Sequence, residues 1–241
     1  MGLGPNQACY NQHILHIANT VEHYPLPDLH SALIKTDGCN VTASPDPNIQ
    51  IPVLDVPAIL QGDYSHRMQE GLLSIYPKSG IQSLDRAATL ALRFPVGYPL
   101  RDVDVMLGAP STGGNAVTCQ GLTANTLRLS SYNGPVVLRD ARVCGMLSLG
   151  ATLDGEVRLE RVQADEGPVY IRSVFGNVWI DRLVTAGLAQ VRIRGRGAGL
   201  RIGGSFAAQW DIERFERRVR HQGARILDEG PLGTIVGIPH V

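Results

Sequence analysis

Along the second half of the chain the apolar and polar positions fall into a recurring triplet, apolar–X–apolar. The copies are Leu127-Arg128-Leu129, Leu147-Ser148-Leu149, Val157-Arg158-Leu159, Val169-Tyr170-Ile171, Val178-Trp179-Ile180, Val191-Arg192-Ile193 and Leu200-Arg201-Ile202, with a weaker one at Val136-Val137-Leu138. This alternation puts two side chains on one face of an extended strand and the third on the other. Successive copies lie nine to thirteen residues apart, and most intervals carry a glycine. Every second copy gives a period of 20 to 22 residues, with starts at 127, 147, 169, 191 and at 136, 157, 178, 200. Periods of this length mark repeat architectures in which each unit buries its apolar face on the next.

Two packings satisfy the pattern. In a parallel β-solenoid each coil of ~20 residues supplies two such strands, and the apolar pairs stack inside. In an antiparallel meander each strand turns back on its predecessor through a short glycine loop. Asp154-Gly155 and Asn133-Gly134 suit hairpins, whereas the connections 140–145 and 161–168 are too long. Several connections also carry an apolar residue: Val143, Leu153, Val162 and Val174. A solenoid corner tucks such a residue inward, and the solenoid is the preferred reading.

The stretch 116–204 resembles right-handed β-helices and, more loosely, pentapeptide-like β-solenoids, through these triplets and coils. The resemblance is architectural and covers under half of the chain. Solenoid families include polysaccharide lyases, spikes, adhesins and assembly factors, so it implies a fold and leaves the chemistry open.

The fold class expected is mainly β: a parallel β-solenoid with a mixed α/β N-terminal region and a C-terminal helical cap. The corresponding domains are a loop-rich region over 1–100, the solenoid over 101–205 and a capping segment over 206–241. Residues 8–22 place Ile14, Ile17, Ala18 and Val21 at helical spacing, closed by Pro25 and Pro27. Asp28 is positioned to cap a short second helix through Ile34. Prolines and polar residues from Asp37 to Pro57 read as a long loop, with Ile49-Gln50-Ile51 as a short edge strand. Ser83-Leu84-Asp85-Arg86 opens a third helix that stops before Pro95. Val103, Val105 and Leu107 alternate with Asp102, Asp104 and Met106, which predicts a strand. After Gly203-Gly204, the spacing of Ala208, Ile212, Phe215 and Val219 predicts a capping helix with Trp210 nearby, ended by Gly223. A closing hairpin of 224–228 and 234–238 follows.

Composition changes this picture little. The 241 residues carry 22 basic and 22 acidic side chains, which argues against polyanion binding by bulk charge. The halves differ: residues 1–120 hold six basic against ten acidic groups, and 121–241 hold sixteen against twelve. Residues 183–225 concentrate nine arginines against three acids. No run of 18 apolar residues occurs and the start lacks a basic and apolar leader, so neither a membrane span nor a signal peptide is expected, and the compartment stays unknown. Cys9, Cys39, Cys119 and Cys144 allow three pairings, and buried free thiols are the preferred reading.

Candidate chemistry is sparse. The loop from Gly108 to Asn115 begins like a phosphate loop but has Gly-Asn where Lys-Ser/Thr is required. Gly195-Arg196-Gly197-Ala198-Gly199 lacks dinucleotide-binding spacing. His13, His16, His23 and His30 lack a completing ligand set, and no metal, cofactor or catalytic residue is expected. The outward residues of the triplets are the candidate binding surface: Arg128, Ser148, Tyr170 and Arg192 on one face, Val137, Arg158, Trp179 and Arg201 on the other. On the last helix Arg214, Arg217, Arg218 and Arg220 form a basic face, with Glu213→Arg217 and Glu216→Arg220 as i,i+4 pairs. The reading preferred is a non-enzymatic structural or interaction protein, an assembly component presenting a flat Arg/aromatic ladder to a protein partner or to itself. One alternative is an enzyme or lectin for acidic polysaccharide using Asp102, Asp104, Arg158 and Arg201. Another is nucleic-acid binding through 183–225.

Overall fold

The computed structural model describes residues 20–78, 88–108, 114–195 and 198–214, and the backbone of 217–226 and 237–239. The triplets form strands, and their pairing is parallel. Leu127–Leu129 pairs in register with Leu147–Leu149, and that strand with Val169–Ile171. Val136–Leu138 pairs with Val157–Leu159, then with Val178–Ile180, then with Leu200–Ile202. The result is a β-solenoid of about five turns over residues 99–214. The meander is excluded because each strand's partner lies one full coil away.

Each coil has three sides. The first sheet stacks 102–107, 126–131, 147–151, 169–173, 189–193 and 210–214. The second stacks 117–120, 136–139, 157–160, 178–181 and 200–203. A short third sheet stacks 99–100, 123–124, 142–143, 163–164, 184–185 and 206–207. Inward side chains form continuous columns one strand spacing apart. One runs Val103, Leu127, Leu147, Val169, Ala189, Trp210, and another Cys119, Leu138, Leu159, Ile180, Ile202; all are buried. The inward column of the third sheet holds smaller groups, among them Ala124, Val143, Ala164 and Ala207, as a short side near two corners requires. Burying each large aliphatic side chain contributes about 1.5–3 kcal/mol. Ile180 sits between Leu159 and Ile202, as the period predicts.

The corners have their own chemistry. Between the second and third sheets the backbone turns through one left-handed residue per coil: Gly121, Asp140, Arg161, Arg182 and Gly204, with φ between 50° and 61°. Three of these are not glycine. At two other corners glycine is required by close approach. A Cβ on Gly167 would stand 1.7 Å from the carbonyl oxygen of Gly145, and one on Gly176 1.9 Å from that of Gly155.

The stack does not begin at residue 99. Ser31–Thr36 lies parallel to 102–107 in the first sheet, and 41–43 lies parallel to 117–119 in the second. Leu72–Pro77 and Thr89–Phe94 then pair parallel to these strands on their far sides. The strands of 31–45 are therefore sandwiched between 72–77 with 89–94 and 102–107 with 117–119. Antiparallel strands close this end: Tyr64–Gln69 on the first sheet, Val53–Pro57 and then Val21–Pro25 on the second.

Several expected helices are strands. The helix from Asp28 to Ile34 is replaced by a turn and the strand Ser31–Thr36. The loop 37–57 contains Asn40–Pro45 and Val53–Pro57, and 49–51 belongs to a turn region. Of the third helix, 83–87 lie outside the described residues and Thr89–Phe94 is a strand. Of the first, 8–19 lie outside them, and Val21 and Glu22 open the strand Val21–Pro25. The only helical element among the described residues is the 3-10 turn Ala58–Leu60. The period of two was present throughout, as in buried Leu90, Leu92 and Phe94, but alanines at 87, 88 and 91 simulated a helical stripe.

The C-terminal helical cap is also overturned. Ser205–Arg214 continues the stack, and Arg217–Ile226 returns antiparallel to it. Trp210 and Ile212 point into the core while Ala208 is exposed, so the helical spacing of Ala208 and Ile212 was coincidental. Glu213 stands opposite Arg218 in strand register, not on a helix face with Arg217. Gly237–Pro239 pairs antiparallel with 224–226, as the closing hairpin requires; its turn lies outside the described residues.

Candidate functional site

On the second sheet the outward column runs Val137, Arg158, Trp179, Arg201 in consecutive coils. Adjacent to it runs Arg139, Glu160, Asp181, Gly203. Alternation fixes this arrangement, because the inward partners Leu159, Ile180 and Ile202 are locked in the core. The face bears a shallow depression of about 600 Å³ lined by Arg158, Glu160, Trp179, Asp181 and Arg201, with Gly203 and Gly204 at its end.

Its charges are largely matched internally. Arg158 reaches Glu156 at 2.6 Å and Glu160 at 4.0 Å. Arg139 Nε lies 2.9 Å from Glu160 Oε2. The Arg201 guanidinium lies over the Trp179 ring at 5.7 Å from its centroid. The indole N–H of Trp179 is covered and has no hydrogen-bond partner among the described residues. The depression is thus a rigid, charge-balanced surface with an aromatic centre.

The other three candidates lie on the first sheet. Arg128, Ser148 and Tyr170 follow one another in register. The next residue in that column is Gln190, not Arg192 as the triplet spacing implied. Arg192 stacks on Arg172 and pairs with Glu213 at 3.5 Å. The coil between these strands is two residues shorter than the triplet spacing suggested, and Ala189-Gln190-Val191 is the triplet in register with Val169-Tyr170-Ile171. A shift of two residues preserves the face, so Arg192 still points outward.

Asp102 and Asp104 also lie on the outward face of the first sheet, and Asp104 is the register neighbour of Arg128. Burial pushes the Asp104 carboxyl up, opposed by Arg128 and Lys35. They share no sheet with Arg158 and Arg201, so the four residues of the polysaccharide reading are not brought together. The basic excess of 183–225 is likewise distributed: Arg192 is on the first sheet, Arg194 at a corner and Arg201 on the second sheet.

Other groupings were not legible in the sequence. Arg93 grips Asp55 through Nε at 2.6 Å and Nη2 at 3.1 Å, and Asp46 through Nη1 at 2.6 Å. His23 Nδ1 adds a 2.6 Å contact to Asp55. Burial works to raise Asp55, but the hydrogen bonds from Arg93 and His23 hold it below the ordinary carboxylate range. His30 contacts Ser31, and His13 and His16 lie outside the described residues. No cluster of His, Cys, Asp and Glu suited to a metal occurs among the described residues. Cys39 and Cys119 are buried free thiols and Cys144 is an exposed one; Cys9 lies outside the described residues. No described helix is long and apolar enough to cross a membrane.

No protein-family model and no curated protein matches the chain. Among solved structures, the chain is similar to a candidate adhesin from Bacteroides fragilis at 14% identity, covering 81% of this chain and 94% of that one, with a TM-score of 0.39. It is similar at 11% identity to a candidate lipid-binding protein from Parabacteroides distasonis, covering 81% and 93%, with a TM-score of 0.37. A candidate adhesin from the same organism is 14% identical over 81% and 93%, with a TM-score of 0.34.

Proposed function

We propose that the protein is a non-enzymatic interaction protein that docks a protein partner, or a second copy of itself, on the outward face of its second sheet. The observation that carries this reading is the ladder Arg158–Trp179–Arg201, three consecutive coils in register, bordering the depression of about 600 Å³. Tryptophan and arginine are the residues most enriched among interface anchors. The strand backbone fixes their positions before any partner arrives, so little ordering entropy is lost on binding. Because Arg158 and Arg139 already hold carboxylates, recognition rests on shape and the indole surface more than on bulk charge. The first-sheet residues Arg128, Tyr170 and Arg192 form a second, flatter part of the interaction surface.

Trp179→Ala is the direct test. It is half-buried on an outward position, and its removal costs about 1 kcal/mol or less of stability. Association, followed by light scattering over a range of concentrations and by capture of the partner from the native extract, falls at least tenfold if Trp179 is an anchor. A wild-type chain that stays monomeric and captures nothing that Trp179→Ala fails to capture removes the proposal.

A further inference from the structure

The corner between the first and second sheets carries a ridge of apolar side chains, two of them exposed and two half-buried. Register continues around it: the N–H of Val174 donates to the carbonyl of Ala151, and that of Phe175 to the carbonyl of Leu153, both at 3.1 Å. In the preceding coil the N–H of Tyr132 donates to Leu107 and that of Thr152 to Ser131. Tyr132, Leu153, Val174 and Phe175 therefore crowd one corner across three coils. Phe175 is 56% exposed and Tyr132 41%. In the next coil Gly195 lies beneath the Phe175 ring, where a Cβ would come within 2.9 Å of it. The ring is seated on glycine backbone and stands proud of the corner.

The arginines beside this ridge are not matched as many others are. Arg93, Arg139, Arg142, Arg158 and Arg161 each pair with a carboxylate. Arg172, at the end of the first-sheet strand, and Arg194, on the corner, are exposed and have no carboxylate partner among the described residues. The neighbouring Arg192 is held by Glu213. Asp154 is the exposed acid nearest the ridge in sequence, on the side of the turn toward the second sheet.

We infer that this corner is a membrane-contacting ridge for an anionic phospholipid bilayer. Phe175, Leu153, Val174 and Tyr132 enter the interface between headgroups and acyl chains, and Arg172 and Arg194 meet lipid phosphates. Aromatic side chains settle at that depth, and arginines near an anionic leaflet strengthen the attachment. The convexity favours a bilayer over a soluble ligand, since a projecting ring offers no walls to enclose a small molecule. The ridge lies at the corner that leads into the second sheet, whereas the Arg158–Trp179–Arg201 ladder lies on that sheet's outward face.

The experiment is co-sedimentation of the whole chain with vesicles of phosphatidylcholine alone and of phosphatidylcholine with about a third phosphatidylserine, at low and moderate salt. Binding is expected to the phosphatidylserine vesicles and to weaken with salt. Phe175→Ala lowers it about tenfold, by loss of a buried ring, and Phe175→Trp restores it. Arg172→Gln and Arg194→Gln each lower it about fivefold. Trp179→Ala leaves it unchanged, which separates this surface from the partner face. The inference is overturned if wild type ignores phosphatidylserine vesicles, binds both vesicles equally, keeps its binding in Phe175→Ala, or is displaced by millimolar inorganic phosphate. Phe175, Arg172 and Arg194 are exposed, and an unchanged thermal midpoint in each of their variants assigns the loss to the surface.

Discussion

The coils at 99–214 and the strands at 21–94 use the same stacking and differ in how the chain reaches it. In the later region each strand pairs with the strand one coil on, about five times in succession. In the earlier region 72–75 packs against 31–34, which packs in turn against 102–105. After the edge strand at 21–25 the chain lays down a middle coil, leaves to build the other antiparallel strands, returns to place an outer coil, and only then starts the regular series. Stability in the later region is close to a sum over neighbouring coils. In the earlier region the coil at 31–45 is held from both sides by segments far apart in sequence, so its strands open together. An interleaved start also ends the stack in the short antiparallel strands 21–25 and 64–69 rather than in a parallel coil.

The largest effects come from the core columns. Ile180→Ala and Leu92→Ala each remove a buried side chain and cost about 2–5 kcal/mol. Hydrogen exchange distinguishes the regions: Ile180→Ala speeds exchange in the adjoining coils at 157–164 and 200–203, whereas Leu92→Ala speeds it across 31–77 as a block. Equal spreading in both variants would break the contrast. Next comes Gly167→Ala. Its Cβ meets the carbonyl of Gly145 in the preceding coil, and the forced backbone shift costs about 1–3 kcal/mol in a denaturant midpoint.

Acid acts on the early region through the carboxylates around Arg93. Asp55 and Asp46 are both held below the ordinary carboxylate range, Asp55 against its burial by Arg93 and His23, and Asp46 by the Asn48 backbone and then Arg93. A depressed carboxylate stabilises the fold above its unfolded pKa of about 4, and that stability is lost as pH falls through the lower folded value. Exchange protection of 21–25 and 53–57 therefore declines below about pH 4. The smallest effect concerns reactivity. Burial pushes the Cys119 thiol up to about 12 and raises Cys39 as well, while Cys144 is exposed. Native-state alkylation with peptide mapping labels Cys144 and leaves Cys39 and Cys119 intact until the chain unfolds. Labelling of Cys119 under native conditions would show that the second sheet opens locally.

The sequence by itself determined the strands, their faces and nearly all of the register from Leu127 to Ile202. It could do so because each inward pair must land on the pair of the next coil, and a one-residue slip would expose the whole column. It missed one alignment, Tyr170 on Gln190 instead of Arg192, because a shift of two residues leaves the faces intact and only the coil length decides it. Trp179 between Arg158 and Arg201 was legible; the Glu156 and Glu160 carboxylates that balance Arg158 were not, since nothing in the pattern says which rotamers meet. Tertiary structure alone decided the early region. Residues 31–36 and 89–94 are too short to prove a period of two against one of 3.6, and their partners are set by stacking across distant segments. The C-terminal end was decided in the same way: Trp210 is a strand residue because it completes the column above Ala189, and the open end of that column outweighs local helical spacing.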